Sequence, residues 1–501
     1  MLQHEASEGD TETTLLPWRL AVVGLLVFLV ALAAVDARAT YGARISVDEP
    51  QYLITAISLG EDFDLDVSDE LEEKRFLPFH ERRSLNQQTI DLTEDGQRLS
   101  PHDPLLPAIL AIPMRLGGWV AARITMAAIA SLTSMLTLYA AVRRFDIPAP
   151  RATWIVAALF ASPPLISFGN QIYPAMPSAT CVVVALLVAT GNVRKWWWLG
   201  CIAVVALPWL SVKYAPHAAV LALGMLWPVR RDRRVVATIV GVLGAAGVIY
   251  LLFHQRVYGG WTVYASGDHF VEGGGEWEVV GSRFNPWGRT RRLVGLIVDQ
   301  NFGLAAWAPV YLGLPAALTW YATRRRAHWP LLIGLFLVGY FMATWIALTM
   351  HGWWWPGRQL MPVMPVAVLV IAAAVAHSRR WTAAVLGASA LAIIGWLWLV
   401  VEASTDRLTL IVDFWDTQWP FYRAWRNIFP DHHGFSLDEP ILTSFWGAVL
   451  IGTCALVVMR RGSPDASSDL AEVEADEAAE AVEAVEAESV GESGLTKEST
   501  A

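Results

Sequence analysis

The run Trp18-Arg19-Leu20-Ala21-Val22-Val23-Gly24-Leu25-Leu26-Val27-Phe28-Leu29-Val30-Ala31-Leu32-Ala33-Ala34-Val35 carries one charge near its start and is apolar from there on. A bilayer core about 30 Å thick needs roughly 20 apolar residues of helix, and this stretch is of that kind. Comparable runs recur as far as Val458, each bounded by charge or by Pro and Gly. The 501-residue chain is 55% hydrophobic and only 17% charged, with a mean hydropathy of +0.41. A soluble chain carries roughly 25% charged residues. Alternating strands of an outer-membrane barrel are absent, so helices are the spanning elements that can satisfy their own backbone in lipid. The fold class is therefore all-α integral membrane.

About twelve transmembrane helices are expected from runs of membrane length. They fall at 17–36, 117–141, 151–168, 174–191, 196–211, 215–229, 235–254, 298–321, 328–349, 360–377, 381–401 and 441–459. The apolar segment 104–116 is short and broken by proline, which marks a re-entrant or interfacial piece. Basic residues test the spans independently. Arg143/Arg144, Arg194/Lys195, Arg230 to Arg234, Arg324 to Arg326, Arg379/Arg380 and Arg460/Arg461 fall at every second loop. That alternation follows the positive-inside rule and puts both termini in the cytoplasm. The organisation expected is a cytoplasmic N-terminus (1–16), a polytopic domain (17–460) and an acidic tail (461–501). The external loops are 37–104, 255–297 and 402–440. The first run has no small-residue cleavage site and reads as a retained anchor.

The net charge of −9 comes from two acidic stretches, Glu61 to Glu94 and the tail after Ser463. Neither resembles a nucleic-acid surface, so no nucleic-acid partner is expected. The tail has no aromatic residue and cannot bury a core, which predicts disorder or a lone polar helix. Cys181, Cys201 and Cys454 lie in apolar runs without metal or disulfide spacing. No Walker loop, HExxH, GxSxG or CxxC motif is present, and Gly273-Gly274-Gly275 follows no strand.

Chemistry gathers on the external side. Asp48-Glu49 follows the first span, and Tyr52 to Leu59 form an amphipathic stretch suited to the membrane surface. Two adjacent carboxylates at a lipid boundary are costly to desolvate. Either Asp48 caps a helix that has Pro50 in its first turn, or the pair supplies a general base over a lipid-borne substrate. His102-Asp103 stands at the re-entry, as a phosphate contact or as an ordinary turn. Asn170 and Tyr173 lie in a short polar bend, and Lys213 in another. Trp353-Trp354-Trp355 suits an interfacial aromatic belt, while Arg358 beside Pro356-Gly357 suits a phosphate grip. The arginines of 289–292 either lie in headgroups on an amphipathic helix or bind an anionic lipid substrate.

Taken together, the first-loop Asp48-Glu49 with Tyr52-Leu53, and Pro104-Leu105-Leu106 followed by Gly117-Gly118-Trp119 and Ala122-Arg123, carry a family resemblance. So do Asn301-Phe302-Gly303-Leu304 with Ala308-Pro309-Val310-Tyr311-Leu312, and Gly357-Arg358-Gln359-Leu360 with Pro362 and Pro365. The layout resembles the polyprenyl-phosphate-sugar glycosyltransferases of the C-type fold, such as the protein O-mannosyltransferases and the lipid A aminoarabinose transferases. The resemblance implies a cavity open to the non-cytoplasmic face of a bacterial inner membrane. It implies a polyprenyl-phosphate sugar as donor and a glycan, lipid or protein as acceptor. Asp48 would then be the base and Glu49 would orient the acceptor. His102, Lys213, Arg358, Arg291 and Arg292 would hold the donor phosphate, and Tyr52, Asn170, Tyr173 and Trp354 would contact acceptor or lipid. No cofactor is required, a divalent metal being optional. Relatives often carry Lys-Pro-Pro at the re-entry, where this chain has His102-Asp103-Pro104, which makes His102 the substitute phosphate ligand. A secondary transporter and a lipid-linked glycan flippase or polymerase are the alternative readings, although no internal repeat supports rocking halves.

Overall fold

The computed structural model describes residues 2–45, 47–82, 84–85, 97–263, 286–346, 355–432 and 438–460. Trp354, Gly273 to Gly275 and the acidic tail lie outside the described residues. The elements, in chain order, are α1 (Leu2–Leu32), α2 (Glu49–Glu61), α3 (Ser68–Glu72), α4 (Leu105–Arg144), α5 (Ala149–Phe160), α6 (Leu165–Phe168), α7 (Ala175–Ala189), α8 (Val193–Leu210) and α9 (Ala215–Val229). They continue with α10 (Arg233–Tyr258), α11 (Pro286–Val298), α12 (Leu304–Trp307), α13 (Leu314–Thr323), α14 (Trp329–Phe341), α15 (Met364–Val375), α16 (Arg379–Ser404), α17 (Pro420–Trp425) and α18 (Glu439–Met459). No named strand occurs among the described residues.

Among the described residues the expected spans fall mainly on helix, and six helical segments there are by themselves long and apolar enough to cross a bilayer. This is a multi-pass helical membrane protein. Large apolar side chains such as Ile249 and Leu252 on α10, Ile394 on α16 and Ile451 on α18 point outward, the surface that lipid tails would cover. α15, by contrast, is buried almost throughout and forms the middle of the bundle. The expected span 298–321 is not one helix. It divides into α12, a 3-10 turn at Pro309–Gly313 and α13, because Pro309 and Pro315 cannot supply backbone donors to a continuous helix.

The segment 104–116 is helical and runs into the next span, with the break at Gly117-Gly118. Gly118 takes φ 60° and ψ −155°, a conformation open essentially to glycine alone. The kink turns Leu105–Leu116 away from the span axis. One face of that stretch covers α2 while Ile112 and Leu116 remain exposed, as suits an interfacial piece. α2 itself corrects an expectation. Tyr52, Leu53, Ile54 and Ile57 are all buried, so the helix does not lie open on the membrane surface. The reason is Gly60, where a Cβ would stand 2.9 Å from the Ala111 carbonyl oxygen. Its absence lets the two backbones close together.

Candidate active site

The chain enters α2 through Val47, which holds a left-handed φ of 63° that a β-branched residue rarely adopts. Asp48 follows in the position where a short acid would cap the helix, yet its side chain makes no capping hydrogen bond. Its Oδ2 instead accepts from Arg358 Nη2 at 2.6 Å. Arg358 is buried and opens a 3-10 turn, Arg358–Val363, directly after Gly357. Gly357 has φ +84°, and a Cβ there would press on Leu304 and Pro164 at 3.0–3.1 Å. That glycine allows the turn which aims the guanidinium at Asp48.

The rest of the centre is built around this ion pair. The Arg358 guanidinium lies 4.0 Å from the centroid of the Tyr173 ring, a cation–π contact in a desolvated setting. Tyr173 meets Tyr52 edge-on at 6.3 Å, and Tyr52 stacks on His102 at 4.4 Å. The buried Tyr173 hydroxyl lies against the Asp48 backbone. Burial holds it well above the usual phenol range, with the Arg358 charge opposing, so it remains an O–H donor. Glu49, 1% exposed, accepts from the Ile172 backbone N–H at 2.7 Å. It ties α2 to the bend that carries Tyr173. Asn170 is buried and donates to the Ala31 carbonyl at 3.4 Å, so it faces the end of α1 and not the lipid. Arg123 of α4 donates to the Val35, Ala37 and Arg44 carbonyls, fixing the backbone that leads to Asp48.

Below His102, Asp103 is fully engaged. It accepts from Val212 N (3.1 Å), Tyr250 Oη (2.9 Å) and His254 Nε2 (2.9 Å). The other His254 nitrogen faces the Tyr250 carbonyl at 2.8 Å. Both ring nitrogens therefore meet oxygen atoms, which locks the imidazole between Asp103 and the backbone of α10. Asp103 thus anchors the re-entry loop, leaving His102 as its outward member. The Val212 contact also brings Lys213 to this side, its ammonium 5.4 Å from the centroid of the Tyr214 ring. His217 follows on α9, buried, with neither ring nitrogen hydrogen-bonded. A cavity of ≈ 410 Å³ lies between α8, α9 and α10, lined by Val204, Pro208, Val212, Ala218, Leu243 and Tyr250 among others. It is almost wholly apolar, and Val212 and Tyr250 join it to the Asp103 anchor.

Of the residues expected from the sequence, Asp48, Tyr52, His102, Tyr173 and Arg358 meet through direct contacts, with Glu49 and Lys213 one residue contact further out. Two of the three arginines of α11 are engaged elsewhere. Arg291 pairs with Glu439 of α18 at 2.8 Å, and Arg289 donates to the Trp345 carbonyl. α11 packs against α18 and against the segment Met342–Ile346 that follows α14. Arg291 is therefore a fastener between helices in this structure. His254, Tyr250, Tyr214 and His217 escaped the sequence reading. A histidine within an apolar run was the available signal.

The fold and the centre together define a multi-pass helical membrane protein with a buried ionic and aromatic site where loops from four parts of the chain meet. No family model matches this chain, and no curated protein matches it. Among solved structures it is similar to that of ArnT from Cupriavidus metallidurans bound to undecaprenyl phosphate. The identity is 17% over 88% of this chain and 72% of that one, with a TM-score of 0.49. The apo structure of the same protein gives 15% identity over 90% and 77%, with a TM-score of 0.48.

Proposed function

We propose that this chain is a membrane glycosyltransferase that moves a sugar from a polyprenyl-phosphate donor to an acceptor hydroxyl on the non-cytoplasmic face. The observation that carries the reading is the buried Asp48–Arg358 pair, 2.6 Å long, set on an aromatic floor of Tyr173 and Tyr52. A guanidinium bonds two oxygens at once, so an incoming phosphate competes with Asp48 for Arg358 and frees the carboxylate to act as base. Asp48 then takes the acceptor O–H proton as the acceptor oxygen bonds to the anomeric carbon. The bond from that carbon to the phosphate oxygen breaks, and its electron pair leaves with the phosphate. Charge grows on that phosphate, and Arg358, with Lys213 and His102, stabilises it. Attack from the far side inverts the anomeric configuration.

The apolar cavity beside Val212 and Tyr250 supports a lipid-linked donor, because a polyprenyl tail needs an apolar lodging that leads to the phosphate. The alternating basic loops support a bacterial inner-membrane location with both termini in the cytoplasm. The test is transfer from radiolabelled polyprenyl-phosphate sugars by purified protein, wild type beside Asp48→Asn. Transfer by wild type with a drop of about 10²–10⁴ in the variant is expected for a lost general base. Lipid binding without transfer by either protein would sink the reading in favour of a transporter or flippase.

A further inference from the structure

The turns after α4, α7, α9 and α13 adjoin one another at one end of the bundle. A Cβ on Gly191, between α7 and α8, would strike the Arg144 guanidinium at the end of α4. Arg194, at the start of α8, bonds Asp232, between α9 and α10, at 3.1 Å. Phe145, after α4, meets His328, before α14, edge-on at 6.2 Å. This end is strongly basic. Arg230, Arg231, Arg233 and Arg234 stand exposed around the α9–α10 turn, and Arg324 and Arg325 after α13. The acids of the four turns are Asp146 and Asp232. Among the described residues the ion pair at this end is Arg194–Asp232, and those six guanidinium groups form none. The rings of Trp227 and Trp320 lie 4.4 and 5.5 Å from Arg230 and Arg324, which orients the two cations without neutralising them. Arg233 and Arg234 also open α10, where the helix dipole disfavours positive charge.

α18 begins at the opposite end. Its Glu439 pairs with Arg291 and His432, and a Cβ on its Gly447 would touch Val294 of α11. The Pro309–Gly313 turn that starts α13 also packs on α11, and α13 packs along α18, so the two helices run in the same direction. The chain therefore leaves α18 at Arg460 on the side where α13 ends in Arg324. Beyond Ser463 the sequence holds twelve carboxylates against one base, Lys497. We propose that this acidic tail docks on the arginine end of its own chain and neutralises it. The positive-inside rule explains why arginines stand at this end, not what balances them. The tail has no aromatic residue and cannot bury a core, so pairing its charges is the contact open to it. Tethering keeps it at a roughly millimolar effective concentration. Ten residues of extended chain reach about 33 Å, or roughly three helix widths.

The test is digestion of the full chain, one copy per phosphatidylcholine nanodisc, with a glutamate-specific protease. Tail cleavage is followed by mass spectrometry beside a synthetic 463–501 peptide in the same buffer, which cancels the effect of salt on the protease. At about 0.01 M salt the wild-type tail should be cut about tenfold or more slowly than the peptide. Near 1 M salt, where the Debye length falls to about 3 Å, the two rates should converge. Replacing Arg231, Arg234 and Arg325 by Gln, with the other arginines kept to hold the topology, should speed cleavage at low salt. Discs mixed with phosphatidylglycerol should keep the protection. A wild-type tail cut as fast as the peptide at low salt would overturn the docking. So would protection that survives both high salt and the triple variant, because the arginines would then not be its cause. Loss of protection in phosphatidylglycerol alone would assign this end to anionic headgroups instead. None of these readouts requires sugar transfer, so the proposal stands or falls apart from the transferase reading.

Discussion

Asp48 and Asp299 are both acids beside helix ends, and both pair with a residue far away in the chain. Asp299 lies just after α11, with its side chain 0% exposed. Its Oδ1 accepts from the Asn301 and Phe302 backbones at 2.9 and 2.6 Å. Its Oδ2 accepts from the backbone and the ring of His432 at 3.0 and 2.9 Å. That fills the roughly four acceptor sites of a carboxylate. The His432 ring continues to Glu439 at 3.4 Å, and Glu439 to Arg291, so the chain of ions fastens α11, the 405–432 loop and α18 together. Asp48 keeps 16% of its side chain open and pairs with a guanidinium that itself lies on the Tyr173 ring. A fully buried, saturated cluster holds a fold, whereas a pair that keeps part of its surface open is within reach of a ligand.

The sharpest way to break this comparison is to remove both acids in turn. Asp299→Ala strands buried partners and should lower stability by about 3–5 kcal/mol, read as a large drop in thermal midpoint in detergent. Asp48→Asn keeps an oxygen acceptor for Arg358, so the midpoint should fall less than in Asp299→Ala while transfer collapses. If both variants melt early and alike, Asp48 is structural and the distinction fails. Next in size is Arg358→Lys, which keeps the charge but loses the planar fork. Transfer should fall about 10²–10³-fold, with a higher KM for the lipid donor; unchanged kinetics would remove Arg358 from the phosphate.

A smaller effect is expected at Gly357. Alanine there must adopt φ +84° against Leu304 and Pro164, so it should destabilise by at least about 1 kcal/mol. Because the turn aims Arg358, transfer should fall more than stability does, and equal losses would count against the aiming role. The smallest effect concerns pH. Burial is the main cause that raises the Glu70 carboxyl from 4.5 to about 8. Between those values the folded chain holds more protons at this residue than the unfolded chain. Its contribution to stability therefore declines as pH rises through that window and levels off above it. The thermal midpoint of Glu70→Gln should gain on wild type from pH 4.5 to 8, and a constant difference would refute the burial argument.

Much of the architecture was legible in the chain itself. Helical spans, the break before Gly117-Gly118 and the helix at Pro286–Val298 follow from local hydropathy and from glycine and proline, which act on their own neighbourhoods. The sequence also singled out Asp48, Tyr52, His102, Tyr173 and Arg358 as polar groups near membrane ends, where each is costly enough to need a reason. It expected α2 at the membrane surface and offered Arg291 as a phosphate ligand, where the structure buries the one and pairs the other with Glu439, since amphipathic pattern alone does not say whether lipid or another helix covers the apolar face. Only the tertiary structure joined Asp48 to Arg358 across 310 positions and Asp103 to His254 across 151. Backbone propensity and hydropathy are local quantities, but an ion pair is made by whatever the packed helices bring within 3 Å, and no residue spacing encodes that.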